Sequence, residues 1–351
     1  MNAAAILPSR DEQATIAAVT TAVDTALATM GTVVINADSS DSPATCERFT
    51  ATPTRAAKLP LPGLPRGKGA QILAAVRHPQ IRGASAALVV DTDTRNPDPA
   101  VYRALLDRIH AGAALAIADY PRHWDEANLT NHLARPLIAA TTGHDVPQPL
   151  AGDLALSRDA LTAVLRAADA LPAELRACVD GYGIDAFLLL TAARTGPVVS
   201  VHVDSPKLHA ASFPHLPAIY HQAVPPLLHL TAACTPPVSP PETAPYRAAD
   251  RPIQPDRLTA MLTVLKSHLG PDFGRYDGPP WPEPVVTAWQ TVRSGTPAPE
   301  AARQLWPHYL RRVRDWLASG HRAAPGQRGQ ELAAAHARLH TAVLTHAGAR
   351  R

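Results

Sequence analysis

Two kinds of stretch, which differ in their pattern of apolar and polar positions, alternate over the first 121 residues. Short apolar runs are separated by longer segments whose apolar residues recur at helical spacing. The run over residues 85–93 is continuous, as in a strand that is buried on both faces. The pattern predicts strand 3–9, helix 12–30, strand 31–39, helix 67–78, strand 85–93, helix 98–112 and strand 113–121.

Strand–helix alternation of this kind predicts an α/β fold, with a mostly parallel sheet flanked by helices on both faces. Such sheets bind ligands at the carboxyl ends of their strands. Five polar residues fall at those ends, namely Ser9, Asn36, Asp38, Asp91 and Asp93. The edge of the sheet that carries them is therefore the predicted ligand site.

The second half of the chain has a different pattern. Residues 125–232 mix helices with short strands, residues 233–256 are a Pro-rich linker, and residues 257–351 are helical. We therefore predict four segments: residues 1–124 with the strand–helix alternation, residues 125–232, the linker 233–256 and the helical region 257–351. An apolar stripe from Leu305 to Trp316 predicts packing on the catalytic domain or on a partner subunit, which leaves a homodimer open.

Composition narrows the class of protein. Hydrophobic residues make up 46% and charged residues 18% of the 351, which is typical of a globular chain. The net charge of +3 is spread out, without the basic block of a nucleic-acid-binding surface. No apolar run reaches about 18 residues, and the first residues lack a signal-peptide pattern, so we expect a cytoplasmic protein without a membrane span. The 3 cysteines are isolated, which predicts neither a disulfide framework nor a zinc site.

The stretch LVVDTD ends an apolar run with two acids one residue apart, Asp91 and Asp93, with Thr92 between them. Two buried carboxylates without a cationic partner would cost several kcal/mol each. A divalent cation removes this cost, and Mg²⁺ or Mn²⁺ prefers oxygen ligands together with water and phosphate. An isolated pair of acids before a turn is more often a helix cap, so the interpretation depends on the neighbouring motifs.

Four motifs precede or include this pair in a fixed order: ILPSRDEQATI, VINADSSDS, RGKGAQI and VVDTD. The series resembles the nucleotide-sugar-binding half of GT-A glycosyltransferases. The later stretches LARPLI, QPLAGDLALSRDAL, GYGIDAFLLL and VDSPKLHAASFPHL are similar to the retaining branch that includes glucosyl-3-phosphoglycerate synthase and, more distantly, mannosylglycerate synthase. The resemblance covers about residues 4–222 and implies that residues 1–124 are the nucleotide-sugar-binding half of the fold and residues 125–232 the acceptor-binding half.

The resemblance implies a metal-dependent, retaining hexosyltransferase that uses a UDP- or GDP-sugar and a small-molecule acceptor. Its implied donor-site residues are Pro8, Ser9, Arg10, Glu12, Asn36, Ser39, Lys68, Asp91, Thr92 and Asp93. Its implied metal ligands are Asp93, His209 and Asp91, and the cofactor would be Mg²⁺ or Mn²⁺. Lys68, Asp153 and Asp185 occupy the implied catalytic positions, and Tyr182 and Gly183 shape the acceptor pocket.

The chemistry of each residue type fits these roles. The barrier comes largely from charge that builds on the leaving diphosphate, and a metal ion offsets several kcal/mol of it. Lys68 adds a point charge, and His209 can complete the metal shell as neutral imidazole. Asp185 can orient the acceptor hydroxyl or accept its proton.

The chain departs from the family pattern in two places. Asn36 stands where the family has an acid, so the choice between UDP and GDP stays open. Residues 125–132 replace a Gly-rich run ending in Arg by a segment with two acids, Asp125 and Glu126, and with Asn128 in place of Arg. Because carboxylates repel an anionic acceptor, we hypothesise an acceptor other than 3-phosphoglycerate, such as a sugar, thiol or amine of specialised metabolism. Its expected contacts are Trp124, Asn128, Thr130 and His132.

Other functions remain open from the sequence. A glucosyl-3-phosphoglycerate synthase-like osmolyte enzyme would keep the family acceptor. A nucleotidyltransferase shares the sheet and the acids, but its Gly-rich signature is missing from LPSRDEQATI. A non-catalytic sugar-nucleotide-binding homologue is the third alternative, because Asn36 and Asn128 replace family residues.

Overall fold

The computed structural model describes residues 2–27, 31–239, 241–249, 252–274 and 278–348. The chain forms two compact units. The first comprises Met1–Tyr120 with Gln148–Ala210, and the second comprises Pro121–Pro147 with Ala211–Arg351. The predicted functional boundaries at 124, 232 and 256 stay predictions, because compactness does not test which segment binds donor or acceptor.

The described strands are β1 Ala3–Ser9, β2 Gly31–Asp38, β3 Ala57–Leu61, β4 Ala86–Val89, β5 Leu115–Asp119, β6 Arg122–His123, β7 Leu154–Ser157, β8 Val198–His202 and β9 Ala248–Ala249. The α-helices are α1 Ile16–Leu27, α2 Ala44–Ala51, α3 Lys68–Arg77, α4 Pro79–Arg82, α5 Pro99–His110, α6 Arg135–Thr142, α7 Arg158–Asp169, α8 Ala173–Asp180, α9 Ile184–Ala192, α10 Leu216–Ala232, α11 Pro255–Leu269, α12 Glu283–Arg293, α13 Ala298–Gly320 and α14 Pro325–Gly348.

A seven-stranded sheet of order β3-β2-β1-β4-β7-β5-β8 forms the centre of the first unit. The pairs β1–β2, β1–β4, β2–β3 and β5–β8 are parallel, and β7 alone runs antiparallel to both of its neighbours. The predicted α/β class with a mostly parallel sheet is therefore confirmed. The strand–helix alternation did not predict the direction of β7. A crossover helix between two strands indicates that they are parallel, but much of the segment between β5 and β7 belongs to the second unit.

Aliphatic packing explains why these segments are strands and helices. β1, β4 and β5 are fully buried, as their continuous apolar sequences predict. On one face of the sheet, α1 and α5 contribute apolar side chains to the same core cluster as β1 and β4. Since β2, β1 and β4 are parallel neighbours, their carboxyl ends meet at one edge, where Ser9, Asp38 and Asp91 lie.

Every strand and helix predicted in the first 121 residues is present, although residues 28–30, at the end of the first predicted helix, lie outside the described residues. The sequence analysis missed β3, α2 and α8. β3 is only partly buried and carries a proline, so it lacks the apolar signal of an interior strand.

The second unit is mainly helical. Its core contains Trp289, Trp316, Tyr220 and Tyr309, each at most 1% exposed. Most of the stripe predicted along α13 is buried, so it is a packing face, while its packing on the catalytic domain or on a partner subunit stays a prediction. Across the described ranges, no helix is both long enough and apolar enough to cross a bilayer.

Candidate functional site

The Gly-Lys-Gly turn before α3 places Lys68 at the ligand edge of the sheet. The amide of Gly69 donates to the carbonyl of Gly181 at 3.2 Å, and a Cβ atom at Gly69 would overlap the Val179 carbonyl. Gly67 has φ +128, a conformation that side chains rarely adopt. The glycines are therefore required for close approach to the end of α8, and this approach fixes Lys68.

Two lysines and three aspartates form one ion-pair network, the lysine–aspartate cluster. Lys68 Nζ lies 2.9 Å from Asp91 Oδ1 and 2.8 Å from Asp185 Oδ1. Lys207 Nζ lies 3.0 Å from Asp91 Oδ2 and 2.8 Å from Asp153 Oδ1. Both carboxylate oxygens of Asp91 are thus engaged by lysines.

The charges in this cluster stabilise one another despite burial. Burial alone would raise the pKa of Asp91, but Lys207 and Lys68 outweigh it and hold this pKa well below its ordinary value. Burial alone would lower the pKa of Lys68, but Asp185 and Asp91 reverse this and raise it. Both lysines therefore stay charged at the carboxyl edge of the sheet.

Asp153 supports the lysine–aspartate cluster through buried contacts. Its side chain is 0% exposed and accepts hydrogen bonds from the Asp91 backbone amide at 3.0 Å and from the Tyr120 hydroxyl at 2.8 Å. With the Lys207 ion pair, both of its oxygens are committed. Such a carboxylate positions Asp91 and Lys207, and its predicted catalytic role stays a prediction.

Asp93 differs from Asp91 in having no counterion. Its carboxylate makes no ion pair or hydrogen bond within the described part of the chain. Burial, followed by the charge of Asp91, raises its pKa. Glu12 is close enough to Asp93 to be affected by its charge. Burial raises the pKa of Glu12, a hydrogen bond from Thr15 opposes this rise, and the charge of Asp93 adds to it. These acids would be stabilised by an added cation.

Two loops bring His209 towards Asp93. Three hydrogen bonds join the loop after Asp93 to residues 206–208. Asn96 Nδ2 donates to the Pro206 carbonyl at 3.0 Å, and Asn96 Oδ1 accepts from the Leu208 amide at 2.7 Å. The Arg95 amide donates to the Leu208 carbonyl at 2.8 Å. His209 is close enough for its charge to lower the pKa of Asp93. The predicted role of these two residues as metal ligands stays a prediction.

The ends of β1 and β2 are joined by side chains of the predicted donor site. Ser9 Oγ donates to Asp38 Oδ1 at 2.7 Å, and Asn36 Nδ2 donates to Ser9 Oγ at 2.7 Å. Gln71 of α3 donates from Nε2 to both the Ser9 carbonyl and Ser39 Oγ at 2.6 Å. Asn36 and Ser39 are thus buried supports of this edge.

The loop after β1 is held in a specific conformation. Asp11 has φ 60, an uncommon value outside glycine, and its amide donates to Ser40 Oγ at 2.8 Å. Thr92 Oγ1 donates to the Pro8 carbonyl at 2.6 Å, which joins the acid pair to β1. Arg10 is exposed and lies 3.7 Å from Asp11. The predicted donor-site residues Pro8, Arg10, Glu12 and Thr92 therefore share one edge with Asp93.

Asp185 lies in the first turn of α9, which begins after Tyr182 and Gly183. Burial raises its pKa from 3.8 to about 6, against the opposing effect of Lys68. Tyr182 is 37% exposed. This gives a carboxylate that titrates close to neutral pH, as a general base requires.

The four predicted acceptor contacts lie in the second unit. Trp124 is 2% exposed, and its ring meets that of Trp316 with centroids 6.2 Å apart. His132 is also buried, and burial lowers its pKa well below the ordinary value, with Arg312 adding to the effect. Asn128 and Thr130 are each 6% exposed, and Thr130 begins a π-helix that runs to Ala134. Their acceptor role stays a prediction.

The acids of residues 125–132 have a partner that the sequence did not indicate. Arg257 Nε lies 2.6 Å from Asp125 Oδ2, and its Nη2 lies 3.5 Å from Glu126 Oε1. Asp125 is fully buried, so this pair neutralises it. Arg257, which is 132 residues away from Asp125 in the chain, therefore offsets one of the two negative charges from which the repulsion of an anionic acceptor is predicted.

The site fits a metal that arrives with its ligand. No group of three or more His, Cys, Asp or Glu side chains is arranged to hold a metal in the ranges that the structure covers. Asp93, which makes no ion pair within the described residues, and His209 offer one carboxylate and one imidazole, and magnesium-type sites usually take the rest of their ligands from phosphate and water. Asp91, predicted as a third ligand, is occupied by the two lysines, so its ligation stays a prediction.

Lys207 and Gln71 are the main residues that sequence reasoning missed. Lys207 lies within VDSPKLHAASFPHL, and it is one of only four lysines in the chain. That scarcity, together with its position two residues before His209, was the available signal. Gln71 had none, because a glutamine inside a helix is ordinarily a surface residue.

Gly152 gives a direct test of the site geometry. A Cβ atom at this position would overlap both carboxylate oxygens of Asp91. We expect Gly152→Ala to displace Asp91 from its lysines and to lower both donor affinity and the free energy of unfolding. Gly326→Ala, which meets nothing within 4 Å, is the control and should leave donor binding unchanged. Calorimetric binding and urea unfolding of both variants check this, and normal behaviour of Gly152→Ala would contradict the geometry.

No family model matches the chain, and no curated protein matches it significantly. Solved structures do match. Glucosyl-3-phosphoglycerate synthase from Mycobacterium tuberculosis in complex with phosphoglyceric acid has a TM-score of 0.53 and 23% identity, over 67% of this chain and 81% of that one. The chain has a GT-A-like fold. The resemblance seen in the motifs is thus confirmed at the level of the fold.

Two further complexes of the same enzyme match this GT-A-like chain. The complex with Mn²⁺, uridine diphosphate and phosphoglyceric acid has a TM-score of 0.53 and 24% identity, over 66% of this chain and 78% of that one. The complex with Mg²⁺ and uridine diphosphate has a TM-score of 0.52 and 23% identity, over 67% and 80%. These proteins bind a nucleoside diphosphate together with a divalent cation.

Proposed function

We propose that this chain is a metal-dependent, retaining glycosyltransferase that moves a hexose-type sugar from a UDP- or GDP-sugar to a small-molecule acceptor. The observation that carries the proposal is Asp93, a carboxylate at the carboxyl end of a GT-A-like sheet that makes no ion pair within the described residues, although Lys207 and Lys68 are close enough to lower its pKa. Two fixed ammonium groups and a cation-seeking acid form an arrangement suited to a sugar diphosphate.

Each residue then has a definable task. Lys68 and Lys207 stay charged and offset the negative charge that develops on the leaving diphosphate. Asp93 and His209 would hold Mg²⁺ or Mn²⁺, which supplies further charge stabilisation when bound. Asp153 positions Asp91 and Lys207. Asp185 orients the acceptor and accepts its proton.

The proposal is tested by the release of nucleoside diphosphate. The purified chain with Mn²⁺ and a panel of UDP- and GDP-hexoses should hydrolyse at least one donor slowly, because many transferases pass the sugar to water when no acceptor is present. Release should stop when EDTA removes the metal. An absence of both hydrolysis and nucleotide binding with every donor would contradict the proposal.

For the acceptor, we propose a molecule other than 3-phosphoglycerate. The remaining support is the loss of the Gly-rich run and the presence of Asn128 in place of Arg. The Arg257 pair with Asp125 favours the alternative, an osmolyte enzyme that accepts 3-phosphoglycerate, because it weakens the repulsion. Turnover with 3-phosphoglycerate separates the two: efficient transfer to it supports the alternative.

The raised pKa of Asp185 predicts the pH dependence of transfer. The base must be ionised, so kcat/KM should rise through a midpoint at about pH 6 rather than near pH 4, because burial raises this pKa from 3.8 to about 6. Asp185→Asn should lower kcat by roughly 10²-fold or more and remove this limb of the profile. A variant that keeps both the rate and the limb would exclude Asp185 as the base.

A further inference from the structure

Tyr120 follows β5 directly and contacts both members of a buried ion pair. Its side chain is 8% exposed, and its hydroxyl donates to Asp153 Oδ2 at 2.8 Å. Lys207 Nζ lies over its ring, 5.8 Å from the ring centroid. The hydroxyl of Tyr120 thus holds the carboxylate of the pair, while the face of its ring attracts the ammonium group.

The contacts of Lys207 fix the direction of its ammonium group, which has three hydrogen-bond donors. One donates to Asp91 Oδ2 at 3.0 Å and one to Asp153 Oδ1 at 2.8 Å. The third makes no hydrogen bond to any residue that the structure describes. Since two carboxylates and the Tyr120 ring hold the group on three sides, the third N–H has one fixed direction.

Asp153 depends on the Tyr120 hydroxyl to keep its own orientation. Its Oδ1 accepts hydrogen bonds from the Asp91 amide and from Lys207 Nζ, and its Oδ2 accepts one from Tyr120. Without this hydroxyl, Oδ2 would be a buried acceptor that lacks a donor, which is unfavourable. The carboxylate would then turn to share Lys207 between its two oxygens, and the ammonium group would move away from Asp91.

We propose that Tyr120 is a positioning residue of this transferase, which acts through Asp153 and Lys207 to direct the third ammonium N–H at the leaving diphosphate; this rests on the proposed function. Burial, followed by the charge of Asp153, raises the pKa of Tyr120, so its hydroxyl keeps the proton that it donates. Because the charge on the leaving group develops in the transition state, a displaced Lys207 should lower kcat more than donor affinity.

Tyr102 of α5 provides a matched control. It is 0% exposed, and burial, followed by the charge of Asp153, raises its pKa, so it lies near the same carboxylate. Its hydroxyl, however, makes no hydrogen bond within the described ranges. Tyr102→Phe and Tyr120→Phe therefore each remove one hydroxyl from a buried ring near Asp153, and only Tyr120→Phe breaks a contact with it.

The test measures donor hydrolysis by the full-length chain with Mn²⁺ and a UDP- or GDP-hexose that the unmodified chain hydrolyses. Rates are referred to the concentration of nucleotide-binding sites, counted by calorimetric titration, so that unfolded protein does not contribute. Tyr120→Phe should lower kcat by roughly tenfold or more, because a small displacement of a catalytic group can cost up to about 10²-fold. The KM for the donor should change by less than about twofold. Tyr102→Phe should change neither quantity.

The same substitution in the Lys207→Met background shows whether Tyr120 acts through Lys207. There Tyr120→Phe should have no further effect on kcat, because the group that it positions is gone. An independent loss of roughly tenfold in this background would overturn the proposal, as would an unchanged kcat in the single variant. An equal loss in Tyr102→Phe, or a rise in KM at constant kcat, would overturn it as well. If the unmodified chain neither hydrolyses nor binds any nucleotide, the proposed function fails and the positioning role fails with it.

Discussion

Replacing Asp93 by alanine should abolish sugar transfer while leaving the protein without ligand at least as stable as the unmodified chain. A carboxylate that holds the metal against a diphosphate contributes several kcal/mol to the transition state, or roughly 10²- to 10³-fold in rate. For folding, by contrast, the raised pKa of Asp93 shows that its carboxylate form destabilises the folded state. Because burial and Asp91 disfavour its ionised form, that form costs the folded state free energy at neutral pH.

The measurement pairs donor hydrolysis in the presence of Mn²⁺ with urea unfolding of the protein without nucleotide. Asp204→Ala is the matched control, because Asp204 is fully exposed and should affect neither quantity. Loss of activity together with a large loss of stability would mean that Asp93 is a structural residue. Full activity in the variant would place metal binding at another residue, and an absence of donor hydrolysis in both proteins would favour a non-catalytic homologue.

Replacing Lys207 by methionine should destabilise the fold by about 3–5 kcal/mol, as expected when one partner of a buried ion pair is removed. The Lys207 side chain is 4% exposed and pairs with Asp153, which is 0% exposed, and with Asp91. Without it, Asp153 keeps only neutral donors, and Asp91 keeps only Lys68. Methionine preserves the apolar part of the lysine side chain, so the loss reports the charge and not a cavity.

Urea unfolding at several pH values checks this expectation. In the unmodified chain, the lowered pKa of Asp91 contributes stability that is present above its ordinary value of 3.8 and is lost as the pH falls further. The difference between Lys207→Met and the unmodified chain should therefore be largest near neutrality and shrink in acid. Arg77→Met, which breaks the exposed pair with Asp169, is the control and should cost no more than about 1 kcal/mol. A Lys207 variant as mild as this control would show that the cluster is not a structural element.

The lysine–aspartate cluster also bears on the role of the acid pair. By spacing alone Asp91 and Asp93 are equivalent, since both follow one strand with one residue between them, and only the family resemblance implies that Asp93 is the direct metal ligand. In the structure their surroundings separate them: Asp91 has two ammonium partners and a lowered pKa, and Asp93 has none and a raised pKa. Two identical side chains are thus suited to different tasks, Asp91 to hold the lysines and Asp93 to bind a cation.

The sequence by itself determined the α/β class, the strand ends that carry polar residues, and the association of Lys68, Asp91 and Asp93 with one site. These follow from apolar periodicity and from motifs whose residues are close in the chain, so local spacing is enough to detect them. The parallel sheet then brings the ends of β1, β2 and β4 together whatever the details of side-chain packing.

Only the tertiary structure decided which charges neutralise which. Lys207 meets Asp91 across 116 residues, and Arg257 meets Asp125 across 132. The energy of such an ion pair depends on the distance between its charges and on their burial, and neither can be inferred from the neighbouring residues in the sequence. For this reason the repulsion predicted from Asp125 and Glu126 could not take Arg257 into account. The support that Asp153 gives to Asp91 is likewise visible only in the folded chain.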